Sequence, residues 1–307
     1  MKLLTVSANP HVRDNSSTTA IMRDVIIALV PALIAAIVIF GVQALLVTLV
    51  CVVAAVLAEF IWEKAMKLPV TIGDLSAVIT GVLLAYCLPS TIPLWMAALG
   101  SVIAIIVVKQ LFGGIGCNFA NPAATARIVL FLSFSSQMAS FTYDGVTGAT
   151  PLPGIVSGEG ADLLTLFLGT HGGSLGEVCG LALIIGGIYL LVRKVISWHI
   201  PVAYLVTVAV FALLAGQNPL EHLLSGGLLL GAIFMATDYS TSPMTKPGKL
   251  IYGVILGLLT MAIRLWGSYP EGVSFAILLG NILTPHIDKL TRHTPLGVSK
   301  KKGGAKA

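Results

Sequence analysis

Val25-Ile-Ile-Ala-Leu-Val-Pro-Ala-Leu-Ile-Ala-Ala-Ile-Val-Ile-Phe40, a single Gly41, then Val42-Gln-Ala-Leu-Leu-Val-Thr-Leu-Val-Cys-Val-Val-Ala-Ala-Val-Leu57: two apolar runs without a charged residue decide the class of this fold. About twenty residues at a rise of about 1.5 Å each cross a hydrocarbon core of about 30 Å, so such runs belong in lipid. Outward from them the pattern recurs, with spans expected near 24–41, 43–61, 75–88, 93–111, 120–135, 177–192, 199–215, 220–237, 249–266 and 272–287. Of the 307 residues, 56% are hydrophobic and 10% charged. That charged share is less than half of what a soluble domain carries, which excludes a water-exposed globule. Residues 1–23 are polar (Asn9, Arg13, Asp14, Asn15, Arg23) and lack an apolar core before a small-residue cleavage pattern, so no removable signal peptide is expected.

Ten crossings put both ends on one side, and the accumulation of Lys and Arg names that side cytoplasmic. The head carries Lys2, Arg13 and Arg23, and the end of the chain carries Lys289, Arg292, Lys300, Lys301, Lys302 and Lys306. Alternating from there, Lys64, Lys67, Lys109, Arg127, Arg193, Lys194, Lys246 and Lys249 fall on the same face, and Arg264 near the other. Residues 136–176 hold Asp144, Glu159 and Asp162 and no Lys or Arg, as an external loop should. The net charge of +5 therefore belongs to loops, not to a nucleic-acid surface. Cys51, Cys87, Cys117 and Cys179 are scattered without Cys-x-x-Cys spacing, which argues against a zinc or iron–sulfur set.

The expected class is an all-α integral membrane protein, one polytopic domain over 1–307. It divides into a first half (1–135, helices 1–5), the external loop (136–176), a second half (177–290, helices 6–10) and a basic cytoplasmic tail (291–307). A five-helix unit repeated within one chain must be inverted in the membrane, with broken helices at the repeat interface. Gly81-Val-Leu-Leu84 leads to the interrupted Leu88-Pro-Ser-Thr-Ile-Pro93, and Gly227-Leu-Leu-Leu230 leads to Asp238-Tyr-Ser-Thr-Ser-Pro243. Each half then offers an Asn-to-Pro segment, Asn121-Pro122 and Asn281 to Pro285.

Within the external loop, Asp144-Gly-Val-Thr-Gly-Ala-Thr150 precedes Pro151 and Leu152. As local chemistry it is a small-residue turn with two hydroxyls, Thr147 and Thr150, and one carboxylate. Its spacing matches Asp-x-x-Thr-Gly-Ala-Thr, the acceptor pattern for covalent attachment of flavin mononucleotide (FMN) through its phosphate to the last threonine. Gly148 and Ala149 leave the backbone open to a modifying enzyme, and the Thr150 hydroxyl is the group that forms the phosphoester.

With that motif the chain resembles the D subunit of the Rnf ion-translocating electron-transport complex, a family shared with the B subunit of the sodium-translocating NADH:quinone oxidoreductase. The resemblance extends through Ser7-Ala-Asn-Pro-His11, Ile21-Met-Arg-Asp-Val25, Gly113-Gly-Ile-Gly-Cys-Asn-Phe-Ala-Asn-Pro-Ala123, Met235-Ala-Thr-Asp238 and Arg264-Leu-Trp-Gly-Ser-Tyr-Pro-Glu-Gly272. It departs at Cys117, where the family pattern has a polar or small residue. The resemblance implies a ten-helix inverted-repeat fold with FMN on Thr150, in a cell (inner) membrane complex that moves electrons between ferredoxin and NAD while transporting Na+ or H+. NAD and iron–sulfur centres then belong to partner subunits, one of them a second flavin-bearing subunit, because no dinucleotide fingerprint or cysteine cluster is present. A flavin transferase is implied for the modification.

Three further sites, the Asn118–Asn121 pair, Arg264 and Asp238, each carry two readings. Asn118 and Asn121 match asparagines that lie near a second, non-covalent flavin (riboflavin) in the related quinone-reductase subunit, while Asn121 also suits the cap of a helix begun by Pro122. Arg264 is placed either to pair with Glu271 or to face the flavin phosphate. Asp238, ending helix 8 at the interruption, is either an ion-coupling group or a cap for the next segment. The competing classes are a small-solute channel or transporter with the same inverted repeats, and a structural scaffold in which the motif is unused. A solute channel has no use for Asp144 to Thr150.

Overall fold

The computed structural model describes residues 17–292 except 144–145, 149, 159 and 268–270, and the backbone alone at 142–143 and 146–148. The first half consists of α1 (Thr18–Phe40), α2 (Val42–Ala65), α3 (Ser76–Tyr86), α4 (Leu94–Phe112), α5 (Pro122–Ser133) and the short α6 (Ser135–Met138). A hairpin of β1 (Phe141–Tyr143) and β2 (Val146–Gly148) follows, then α7 (Leu152–Ser157) and α8 (Leu163–Leu168). The second half holds α9 (Gly180–Val192), α10 (His199–Leu214), α11 (Pro219–Leu224), α12 (Leu228–Leu230, continued as a π-helix over Gly231–Met235), α13 (Lys246–Trp266) and α14 (Val273–Thr291). A helix thus stands at every one of the expected segments. Among the described residues, α1, α2, α4 and α13 are long and apolar enough to cross a membrane. The apolar α3, α5, α9 and α10 run about 16–24 Å, short of the hydrocarbon core by themselves.

The radial pattern is that of a protein solvated by lipid. On α1, Ala28, Ala32 and Ala36 are buried four residues apart while Ile34 and Val38 lie on the outside. On α2, Ala44, Cys51, Ala55 and Ala58 point inward and Leu46, Leu49, Val53 and Leu57 outward. Lipid gives bulky side chains no reason to hide, so small residues take the helix contacts and let backbones approach. Gly81 of α3 shows how close that is: a Cβ there would sit 2.7 Å from the Cα of Val52 on α2.

Three interruptions position the functional groups. After α3 the chain turns at 87–93, and the carbonyls of Tyr86 and Leu88 accept from the N–H groups of Gly176 (2.9 Å) and Leu175 (3.0 Å). Pro89 and Ser174 form the adjoining antiparallel bridge, so backbone polar groups that no helix satisfies are satisfied by the crossover between halves. The second interruption corrects the expectation of one helix over 220–237: α11 stops at Leu224 and α12 starts at Leu228. Gly226 and Gly227 have φ of +69° and +65°, which ends one helix and redirects the next. The third lies between the π-helix end at Met235 and α13, where the Asp238 carboxylate accepts from the hydroxyls of Ser240 (2.9 Å) and Thr241 (3.2 Å).

Two details of local structure add to the expectations. Phe141–Tyr143 and Val146–Gly148 pair antiparallel, Phe141 with Gly148 and Tyr143 with Val146, and among the described residues every other regular element is helical, apart from the isolated Pro89–Ser174 bridge. The sequence match of Gly81 with Gly227 also ends at local structure, since Gly81 lies inside α3 and Gly227 precedes α12 in a left-handed turn. What the halves do share is a helix, an interruption and a long helix in that order: α3, 87–93, α4, and α12, 236–245, α13.

Candidate functional site

A cavity of about 380 Å³ opens between the start of α1, α3, the start of α5 and the third interruption. Its polar lining includes Ser76, Lys109, Asn118, Asn121, Asp238 and Ser240. Asn121 caps α5, its Oδ1 accepting from the Ala124 N–H (3.1 Å), and its Nδ2 donates to the Met235 carbonyl (3.2 Å). With its amide oriented by its neighbours, Asn281 accepts from the Asn121 N–H (2.9 Å) and donates to the Tyr252 hydroxyl (2.6 Å). Both polar ends of Asn121 are thus engaged within the protein. Asn118 differs: its Nδ2 approaches Ser240 Oγ (3.4 Å), while its Oδ1 is buried without a partner. Asp238 caps the turn, as one of its two readings expected, and its residue also lines the cavity.

Beside the cavity lies a cluster that sequence reasoning missed. Lys109, expected among the basic loops, is buried at the end of the π-helical stretch of α4. Its ammonium donates to Glu59 Oε1 (2.6 Å) and Ser76 Oγ (2.6 Å), and Gln110 donates to the same Glu59 oxygen (2.7 Å). A buried lysine is retained only with such partners. Its signal in the sequence was a lone Glu59 and a lone Lys109 inside apolar runs, which are candidates by default.

Toward the other end of the bundle, Arg264 is 1% exposed and donates to the carbonyls of His222 (2.7 Å), Ser225 (2.8 Å) and Gly226 (3.5 Å). It caps the broken end of α11 with a charge. The expected pairing with Glu271 is not formed; Glu271 pairs with Arg127, which also donates to Ser274 Oγ (3.1 Å). Arg127 accordingly belongs in the buried bundle, not on the basic face. Arg264 does lie close to the motif-bearing loop: its Nη2 and Leu152 Cδ2 are both within 3 Å of where a Gly226 side chain would begin, and its Nε has no partner.

Thr150 is 7% exposed and sits between β2 and α7. Of the other motif positions, Thr147 and Gly148 end β2, while Asp144 and Ala149 lie outside the described residues. In the same loop, burial holds His171 below the ordinary imidazole range; its Nδ1 lies 3.0 Å from the Gly172 carbonyl and its Nε2 is unpartnered.

Compared with known proteins, residues 5–297 match the model of the NQR2, RnfD, RnfE family. The D subunit of the Na(+)-translocating ferredoxin:NAD(+) oxidoreductase complex of Acetobacterium woodii is 50% identical, over 99% of this chain and 98% of its own. The D subunit of the proton-translocating ferredoxin:NAD(+) oxidoreductase complex of Clostridium ljungdahlii is 42% identical over 97% of each chain. The D subunit of the ion-translocating oxidoreductase complex of Aliivibrio salmonicida is 34% identical, over 97% of this chain and 99% of its own.

Proposed function

Because this chain belongs to the NQR2, RnfD, RnfE family, we propose that it is the D-type membrane subunit of an ion-translocating ferredoxin:NAD oxidoreductase complex, relaying electrons through FMN bound to Thr150 and coupling them to Na+ or H+ movement. Similarity along nearly the whole chain to relatives so named carries this conclusion. Flavin, when bound, supplies electron transfer that no side chain provides. The protein's share is to hold and shield it. Thr150 Oγ is the attachment atom, Gly148 and Ala149 keep the backbone open, and Asp144 and Thr147 present the turn to the flavin transferase. The Arg264 guanidinium, near Leu152 and with its Nε–H unpartnered, is the positive charge available to a phosphate on Thr150.

A second, non-covalent flavin fits the 380 Å³ cavity, which is within the size range of ligand pockets. The unpartnered Oδ1 of Asn118 is the acceptor that a ring N–H of isoalloxazine requires, whereas Asn121 acts by capping α5. Iron–sulfur centres and the NAD site reside in the other subunits.

In this assignment the chain crosses the membrane ten times as two inverted five-helix repeats, with both termini cytoplasmic and 136–176 external. A cysteine placed within 155–162, in a chain lacking its four native cysteines, should react with an impermeant thiol reagent on intact cells, and one placed after Lys300 should not. The reverse pattern would overturn the orientation.

Asp238 is assigned as a coupling group because it faces the cavity at an interruption, where water and ions have access to the backbone. Asp238→Asn keeps the size and the acceptor oxygen that caps Ser240 but removes the charge. The complex should assemble with Thr150 flavinylated and its ion-to-electron ratio in sealed vesicles should fall by at least half. A full ratio would make Asp238 a cap alone.

A further inference from the structure

Arg127 lies in α5 of the first half, and its bonded partners Glu271 and Ser274 stand at the start of α14 in the second. Facing it from the crossover is Glu177, 4% exposed, whose Oε2 accepts from the Ser174 hydroxyl (3.2 Å). Among the described residues no ion pair engages Glu177. The nearby Arg264 guanidinium is fixed on three carbonyls of the second interruption. A void of about 10 Å³ lies between Arg127 and Ser274 on one side and Ser174 and Glu177 on the other, lined also by Cys87 and Gly227. That is about the probe volume of one water molecule or one small dehydrated cation. Gly227 borders it between the two charged groups: a Cβ there would stand in ordinary contact with both, 3.9 Å from Glu177 Oε2 and 4.0 Å from Arg127 Nη1.

We propose that Glu177, Ser174, Glu271 and Ser274 form a monovalent-cation site whose resident cation is the tethered guanidinium of Arg127, which swings toward Glu177 when a transported ion passes. The inference rests on the ion-coupling role proposed above. The physical case is that this cluster sits where the first and second interruptions meet, the place at which broken-helix transporters hold their ion. A buried carboxylate without a bonded cation is unfavourable, so Glu177 is a ready second station for a positive charge. Nothing but hydrogen occupies the Gly227 side-chain position between the two. With the guanidinium on Glu271, the site is filled and the chain is sealed to ions at rest.

The test uses the whole complex in sealed vesicles, with Na+ tracer and a pH dye as probes. Arg127→Lys keeps one charge for Glu271 but cannot also hold Ser274. Resting cation leak should rise at least tenfold over the native complex, and adding Glu177→Gln should return it to within twofold. An assembled Arg127→Lys complex with native leak and a native ion-to-electron ratio would overturn the proposal. Should that variant not assemble, Glu177→Gln alone decides: the ion-to-electron ratio should fall at least twofold with the resting leak unchanged, and a native ratio would overturn the proposal. A native complex that transfers electrons and moves no ion would instead refute the coupling role itself.

Discussion

Thr150→Ala should remove all covalent flavin from the chain, reducing the fluorescent band that survives denaturing electrophoresis to background, while the helices remain folded. The variant loses one hydroxyl at the foot of a hairpin, and neither the interruptions nor the buried ion pairs involve it. Thr150→Ser should retain flavin, since it keeps the attachment atom and loses only a methyl group. Asp144→Ala should lower the yield of flavin without unfolding the chain, by weakening recognition of the loop. A fluorescent band of native intensity in Thr150→Ala would sink the assignment, and mass spectrometry of the loop peptide would show where the flavin is instead. The burial of Thr150 adds an expectation about order: the transferase acts before the loop has packed, so a folded flavin-free chain should be modified more slowly than a nascent one.

Arg264→Met should cost the fold more than any of the other substitutions. It preserves apolar volume but leaves the His222 and Ser225 carbonyls, now bonded at 2.7 and 2.8 Å, without partners in a dry interior. At about 1–3 kcal/mol for each orphaned buried acceptor, the loss is about 2–6 kcal/mol. That is comparable to the whole stability of many domains, about 5–15 kcal/mol. The expected result is a lowered denaturation midpoint in detergent and little assembled complex, with Arg264→Lys intermediate because one ammonium reaches fewer carbonyls. An Arg264→Met chain with a native midpoint would mean that α11 is capped in some other way.

Apolar run length was sufficient to locate a helix at each expected segment, because the hydrocarbon requirement is one-dimensional and can be read along the chain. Gly41 between two uncharged runs marks the α1–α2 turn as plainly as any residue in the protein. The break at 225–227 was not legible: a Leu- and Gly-rich run reads as continuous helix, and the group that caps the break, Arg264, is 38 positions away from Gly226. The buried pairs were hidden for the same reason, Lys109 and Glu59 being 50 positions apart and Arg127 and Glu271 144 apart. Their charges were visible as exceptions within apolar runs, but a partner chosen by nearness in sequence gave Glu271 to Arg264 and placed Arg127 at the surface. The motif at 144–150 was legible because its chemistry is local, whereas the cavity is assembled from separate elements and has no local signature.

The stitching of Tyr86 and Leu88 to Gly176 and Leu175 has a consequence for biogenesis. The 87–93 interruption cannot be completed when its own helices enter the bilayer, because the segment that donates to its carbonyls is made roughly 90 residues later. At about 5–20 residues per second of translation, that is a delay on the order of 4–18 s. Until then the carbonyls of Tyr86 and Leu88 lack the donors they have in the finished fold. The two halves therefore mature together and not in sequence, and a ribosome stalled before Ser174 would hold a chain that quality control can recognise as unfinished.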